Sequence, residues 1–379
     1  GLPHAAAHAA ARLAALGRAR QGRGAVQLLR ELCRGSVQAN AFIYSAAIGA
    51  CGKGRGWGEA LGLLSEMLER GVGPNVVAYN ASIAACSRGR RWAQAVRLLE
   101  LMPRWQLRPN LVTLNTILGS CSASQQWAQA LATLAEARRL QGGADVVSYS
   151  ACITACEKAQ QWARALLVLA GMRRHAVEAN PVTYGASISA CEKGGNWAQA
   201  LELTAEMRRR SVRGDRITWN ALLSACEKGH AAEPALRLLA DMVRSDTPPD
   251  VISYNAAVSA CEKGLLWARA LGLVRAMRRE GVQADAITCN AAMSACEKAR
   301  RWTQVLAILQ GMRPDRLAPN TISFNLAVLA CSHGRQPDLA WGLLQDMAAA
   351  FLFPDAPTLS RLLMDSEQRG LWRREVALA

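Results

Sequence analysis

From Ala41 onward, apolar side chains recur in a two-part pattern that Val251–Asp285 displays plainly. Tyr254, Ala257, Val258 and Cys261 fall three or four residues apart, the spacing of one helical face. A short polar or Gly-containing break follows, Lys263-Gly264-Leu265-Leu266 here and Lys193-Gly194-Gly195-Asn196 elsewhere. Trp267, Ala270, Leu271, Val274 and Met277 then repeat the helical spacing. Two helices joined this tightly must pack antiparallel. The stretch closes on Ala-Asp, or on Pro-Asn as in Gly71–Asn75, residue types that stop one helix and cap the next.

This stretch is one copy among many. Cys51, Cys86, Cys121, Cys156, Cys191, Cys226, Cys261, Cys296 and Cys331 stand 35 residues apart without a slip. Trp57, Trp92, Trp127, Trp162, Trp197, Trp267 and Trp302 keep the same period, as do eight methionines from Met67 to Met347. Self-similarity at such a period predicts an all-α solenoid, in which each unit buries its apolar face against its neighbours. The chain divides into an N-terminal segment, 1–40, nine tandem units over 41–355, and a partial tenth unit or cap over 356–379. Trp, Cys and Met at these positions read as core, not as redox or cofactor groups.

Charge changes the picture. Lys and Arg number 45 against 29 Asp and Glu, a net +16, which points to a polyanionic partner or, more blandly, to a soluble basic surface. Nine of the twelve cysteines occupy one repeat position, and they look like small buried apolar groups in a reducing compartment. No run of eighteen apolar residues exists, so no membrane span is expected. Residues 1–30 are Ala- and Arg-rich, as in an organelle transit peptide, and the first acidic residue is Glu31. Ala25, Leu28, Leu29 and Leu32 nevertheless keep the second-helix register, so a degenerate first unit, Ala6–Asn40, is preferred. The lack of a starting Met reads as a processed or partial chain.

Catalytic signals are missing from the sequence. The five histidines are scattered, no His-x-Glu precedes a Cys-x-x-Cys, and no Gly-rich phosphate loop follows a strand. Cys152 and Cys156 share a helix face, but at core positions. No catalytic residue, metal or cofactor is expected, and the chain reads as a binder.

The candidate site lies on the other side of the first helix. At about 100° per residue, positions 1, 2, 5, 9, 12 and 13 of each unit share an arc that the unit's own hairpin does not bury. Position 2 is always apolar: Phe42, Val77, Val112, Val147, Val182, Ile217, Ile252, Ile287 and Ile322. Position 5 is small and polar, Ser45, Asn80, Asn115, Ser150, Asn220, Asn255, Asn290 and Asn325, with Gly185 the exception. Position 35 is only Asn or Asp: Asn75, Asn110, Asp145, Asn180, Asp215, Asp250, Asp285, Asn320 and Asp355. Position 13 is basic, Lys53, Arg88, Lys158, Lys193, Lys228, Lys263 and Lys298, then His333, with Ala123 the exception. Apolar side chains can sandwich a base, amides and carboxylates can read its edge, and a cation can neutralise a phosphate. Position 35 alone is also explained as an N-cap, but a mid-helix Asn recurring beside it is not, since Asn is a poor helix former.

The 35-residue unit, with Tyr-Asn near its start, Ala-Leu and Met in its second helix and a terminal Pro-Asn or Asp, resembles the pentatricopeptide repeat of the pure, P-type class over about Ala41–Leu371. The Trp after the turn and the Ala-Cys-Glu-Lys run depart from the plant members and point to an algal or protist lineage. The resemblance implies a right-handed superhelical solenoid of antiparallel hairpins that binds single-stranded RNA, one base per repeat with the chain's N-terminus towards the 5′ end, in a chloroplast or mitochondrion. It implies that positions 5 and 35 together select the base: Ser with Asn for A, Asn with Asp for U, Asn with Asn for a pyrimidine. The implied target is A-Y-U-A-(R)-U-U-Y-U, with Gly185 and Asp215 off-pattern. An RNA-processing enzyme recruited by the chain is a second implied partner. A scaffold that binds a peptide in the same groove is the competing class, and it would be lined by idiosyncratic residues.

Overall fold

The computed structural model describes residues 11–13, 15–34, 40–54, 56–140, 143–244, 247–312, 314, 317–360 and 364. It divides into two compact units, Gly1–Gly194 and Gly195–Ala379. Each is a stack of α-helices, and no strand occurs among the described residues. In the first unit, Gly22–Arg34 packs on Ala41–Lys53, which pairs with Trp57–Glu69 and with the next first helix, Val76–Arg88. The same order continues through Leu111–Ala123 and Val146–Lys158 to Pro181–Lys193. In the second unit, the first helices Arg216–Lys228, Val251–Lys263, Ala286–Lys298 and Thr321–His333 stack in sequence, each against its own second helix.

Each first helix has 13 residues, too short to persist alone in water. Its ends are fixed by chemistry written at position 35. Asp250 is the N-cap of Val251–Lys263, accepting the Ser253 N–H at 2.9 Å, and Ser253 Oγ accepts the Asp250 N–H in return at 3.3 Å. At the other end a lysine at position 13 complements the helix dipole. Burial supplies the rest: Tyr254, Ala257, Val258 and Cys261 are no more than 1% exposed, and Ala270, Val274 and Met277 close over them. Position 10, Ala in most units, is also buried and small, so first helices of consecutive units approach closely. Tyr at position 4 is the largest fully buried side chain in several units.

The hairpin turn departs from a reading in which Gly makes the bend. The left-handed residue is position 15, occupied by Arg90, Gln125, Gln160, His230, Leu265, Arg300 and Arg335 at φ between 55° and 60°. Position 14 is right-handed, as at Gly229 with φ −85°. Two backbone bonds close the turn, from the Leu265 N–H to Glu262 and from the Leu266 N–H to Cys261, the pairing that satisfies a helix's last carbonyls. Glycine at position 14 serves a neighbour instead. A Cβ on Gly194, Gly229 or Gly334 would lie 2.0–2.3 Å from Cδ1 of Trp162, Trp197 or Trp302, one repeat earlier. The Trp comb is therefore an inter-repeat wedge, seated on bare backbone where position 14 is Gly and on a small side chain at Ser124, Ala159 and Ala299. Where Ala232 replaces Trp, its methyl occupies that place beside Gly264.

Candidate nucleic-acid interface

The nine position-2 side chains are apolar residues that packing leaves exposed in every repeat. Phe42, Val77, Val112, Val147, Val182, Ile217, Ile252, Ile287 and Ile322 are 57–77% exposed, two residues before Tyr or Phe side chains that are at most 4% exposed in most units. Single exposed apolar residues need no explanation, but one at the same place in every repeat forms a ladder.

Between successive rungs sits a hydrogen-bonded pair. Asn115 Nδ2 donates to both carboxylate oxygens of Asp145 at 3.2 Å, and Asn255 donates to both oxygens of Asp285 at 3.2 and 3.1 Å. Asn220 donates to Asp250 at 3.4 Å, Asn80 to Asn110 at 3.4 Å, and Asn290 to Asn320 at 3.3 Å. Ser45 Oγ lies 3.1 Å from Asn75 Oδ1 and 2.6 Å from the Ala41 carbonyl. Positions 5 and 35 are thus brought together across thirty residues, while position 35 still caps the next helix.

A third residue completes the arrangement. The hydroxyl at position 3 of the following repeat donates to the position-5 amide oxygen: Thr113 to Asn80 at 2.6 Å, Ser148 to Asn115 at 2.5 Å, Ser253 to Asn220 and Ser323 to Asn290 at 2.6 Å, and Thr288 to Asn255. A carboxylate can only accept, so it fixes the amide's Nδ2 towards position 35, and the hydroxyl takes the opposite oxygen. The second Nδ2 hydrogen and the outer lone pairs of position 35 are left as a polar edge. These hydroxyl residues are fully buried and carry a signal in the sequence, Ser or Thr at eight successive units from Thr113 to Thr358, but one indistinguishable there from a capping residue.

The pattern breaks at three places. Ser150 bonds Thr183 at 2.9 Å, and Thr183 in turn bonds Asn180, so that pair is bridged. Gly185 offers no side chain, and Asp215 caps Thr218 at 2.8 Å. At the ninth unit the Thr358 hydroxyl turns to Asp355, and Asn325 Oδ1 is buried without a partner among the described residues.

Electrostatics sharpen these roles. Partial burial pushes the carboxyls of Asp145, Asp250 and Asp285 up, but hydrogen bonds from the position-3 N–H and hydroxyl and the position-5 amide outweigh it, leaving all three below the ordinary carboxylate value. They are acceptors throughout the neutral range.

The position-13 cations divide into two sets. Lys193, Lys263 and Lys298 each bind a position-12 glutamate of the preceding repeat, Glu157, Glu227 and Glu262, at 2.7, 3.0 and 2.7 Å. Ser189, Ser259 and Ser294 share those carboxylates. His333 Nδ1 lies 2.9 Å from Glu297. Lys53, Arg88 and Lys158 have no such carboxylate, because the equivalent preceding residues are Gly17, Gly52 and Ser122. The position-13 cations that lack this carboxylate, Lys53, Arg88 and Lys158, all lie in the first unit.

No group of three or more metal-ligating side chains occurs among the described residues. No described helix is long and apolar enough to cross a membrane. Eight repeat cysteines, such as Cys226 and Cys261, are pushed up to about 11 by burial. Cys152 is raised by its hydrogen bond with Cys156 and then by burial.

Comparison with known proteins follows this geometry. The sequence matches the pentatricopeptide repeat domain over residues 27–89, 134–196, 167–228 and 272–333. It matches the PPR repeat family over 74–123 and 214–263, and the PPR repeat over 252–282. No curated protein sequence matches the chain. Among solved structures it is similar to the pentatricopeptide repeat protein PPR10 in complex with an 18-nt psaJ RNA element, at 19% identity and a TM-score of 0.56, over 96% of this chain. The chain spans 58% of the length of that protein's chain. A weaker likeness, TM-score 0.41 at 13% identity, covers 96% of this chain and 81% of yeast Rmd9p in complex with a 16nt target RNA.

Proposed function

The chain belongs to the pentatricopeptide repeat family, and from that premise we propose that it binds single-stranded RNA with sequence selectivity, one base per repeat. The observation that carries the proposal is the alternation, repeat after repeat, of an exposed apolar rung with an oriented polar pair. An unstacked base is a flat apolar body with a polar edge, and it fits a slot whose walls are aliphatic and whose floor is polar. The position-2 residues form the walls, positions 5 and 35 form the floor, and position 13 meets the phosphates.

Donor and acceptor patterns then assign the base. Where Asp lies opposite Asn, the floor offers a carboxylate acceptor beside an amide hydrogen, the complement of the uracil N3–H and its neighbouring carbonyl. Where Asn replaces Asp, as at Asn110 and Asn320, either pyrimidine can be met. Ser45 with Asn75 and Ser150 with Asn180 are assigned to A. Gly185 with Asp215 and the unassembled Asn325 with Asp355 contribute least selectivity.

In this reading the chain acts by occupying a transcript, protecting it or directing an RNA-processing enzyme to it, in a chloroplast or mitochondrion. The organellar setting is supported by the family. The test is selection from random-sequence RNA on the purified chain at about 150 mM salt. Enrichment of a motif near A-Y-U-A-N-U-U-Y-U supports it. Binding without a motif defeats the base assignments, and absence of binding gives the peptide-scaffold reading first place.

A further inference from the structure

One cleft lies apart from the slots. At the N-terminal end of the first unit, a cavity of about 520 Å³ is lined by Gly17, Arg18, Arg20, Lys53 and Arg88. Arg18, Lys53 and Arg88 hold position 13 in three successive units, and Arg20 joins them from the turn. None of the lining residues is acidic. The cause is the glycine at position 12, where later repeats carry Glu. Arg88 folds across Gly52, whose added Cβ would meet its Nη1 at 3.1 Å, and the Lys53 stem crosses Gly17 at 3.6 Å. Glycine both removes the neutralising carboxylate and gives the next repeat's cation a place to lie. Four cations therefore face one cleft, against one largely neutralised cation per step further along.

We propose that this cleft takes a terminal phosphate monoester of the bound RNA. The inference rests on the RNA reading above. A phosphodiester carries a single negative charge, which one cation balances. A monoester carries about −1.5 to −2 at neutral pH and has three strong acceptor oxygens, so it uses several convergent guanidinium and ammonium donors.

The experiment uses the full chain and a nine-nucleotide RNA of the selected consensus, prepared with hydroxyls at both ends, with a 5′-monophosphate, or with a 3′-monophosphate. Binding of the 5′-monophosphate form about tenfold or more tighter is expected, because the motif runs 5′ to 3′ in repeat order; preference for the 3′-monophosphate overturns the inference. In an Arg20→Ala variant, which leaves the position-13 cations in place, that preference should vanish, with the melting temperature and hydroxyl-ended binding retained. Equal affinity for all three RNAs overturns the inference and leaves the RNA reading standing. A preference that survives in the variant also overturns it, by locating the contact elsewhere. If no RNA binds in any form, the RNA reading itself fails.

Discussion

Asp285 gives the sharpest test of the base assignments, because it has two separable jobs. It caps Ala286–Lys298 by accepting the Thr288 N–H at 2.8 Å, and it accepts Asn255 Nδ2 on both oxygens. Asp285→Asn is isosteric, and Asn caps helices about as well as Asp, so stability should change by no more than about 0.5 kcal/mol. The fold already accommodates the outcome: Asn290 and Asn320 meet at 3.3 Å in the next unit. What changes is the outer edge, where an acceptor oxygen becomes an NH₂ donor. Uracil presents a donor at N3 and cytosine an acceptor, so the carboxylate's preference for U should fall by about 1–3 kcal/mol, or about 5- to 150-fold. The assay is a set of anisotropy titrations against four RNAs that differ at the seventh base, with thermal melts as control. Loss of U binding with gain of C binding at unchanged melting temperature is expected. Equal loss for all four RNAs with a lowered melting temperature would show that Asp285 is a cap and nothing more.

The ion-pair ladder predicts that Glu227→Gln with Glu262→Gln releases Lys263 and Lys298, steepening the slope of log affinity against log salt by about 1.4; an unchanged slope would mean that these lysines do not meet phosphates. Gly229→Ala places a methyl 2.0 Å from Trp197 Cδ1 and should cost about 1–3 kcal/mol in a chemical denaturation series; full stability would remove the wedge role of the Trp comb. The carboxyls of Asp145, Asp250 and Asp285 titrate below their unfolded value, so their contribution to stability is present above about pH 4 and is lost as pH falls through the lower folded value. U preference measured from pH 8 to pH 5 should accordingly be flat. Burial of the repeat thiols predicts that iodoacetamide leaves Cys191, Cys226 and Cys261 unmodified in the folded chain and labels them after denaturation; mass spectrometry reads both states.

The hairpins and their core were legible in the sequence because they depend on local periodicity and were written nine times. Tyr254, Cys261, Ala270 and Met277 are buried where helical spacing puts them. Other features were hidden because they join different repeats. The Glu262–Lys298 pair spans 36 residues, and no single unit shows that position 12 will neutralise position 13 of the next. Gly at position 14 looks like a turn former, yet Leu265 and Arg300, with no glycine signal, hold the left-handed conformation. Where position 14 is Gly, its close neighbour is the Trp of the preceding repeat, which no single unit shows. The position-3 hydroxyl escapes a sequence reading for the opposite reason: its capping role is local and obvious, and this conceals the bond to Asn in the preceding repeat.

The same overlap explains how a strict repeat can vary where selectivity requires it. Position 35 must be a good N-cap, which restricts it to a few residue types, and Asn and Asp are close to equivalent among them. Position 5 must donate to that cap and accept from the next hydroxyl, which Asn satisfies whether its partner is Asn110 or Asp145. Folding therefore fixes the class of residue at both positions but is nearly indifferent to the choice between carboxylate and amide. That choice inverts the sign of the hydrogen-bonding edge presented between two apolar rungs. A residue constrained in shape and free in polarity can specify a base without any cost to the helix it caps, and the scatter of Asn and Asp along position 35, against the invariance of its capping geometry, is the pattern such a division of labour produces.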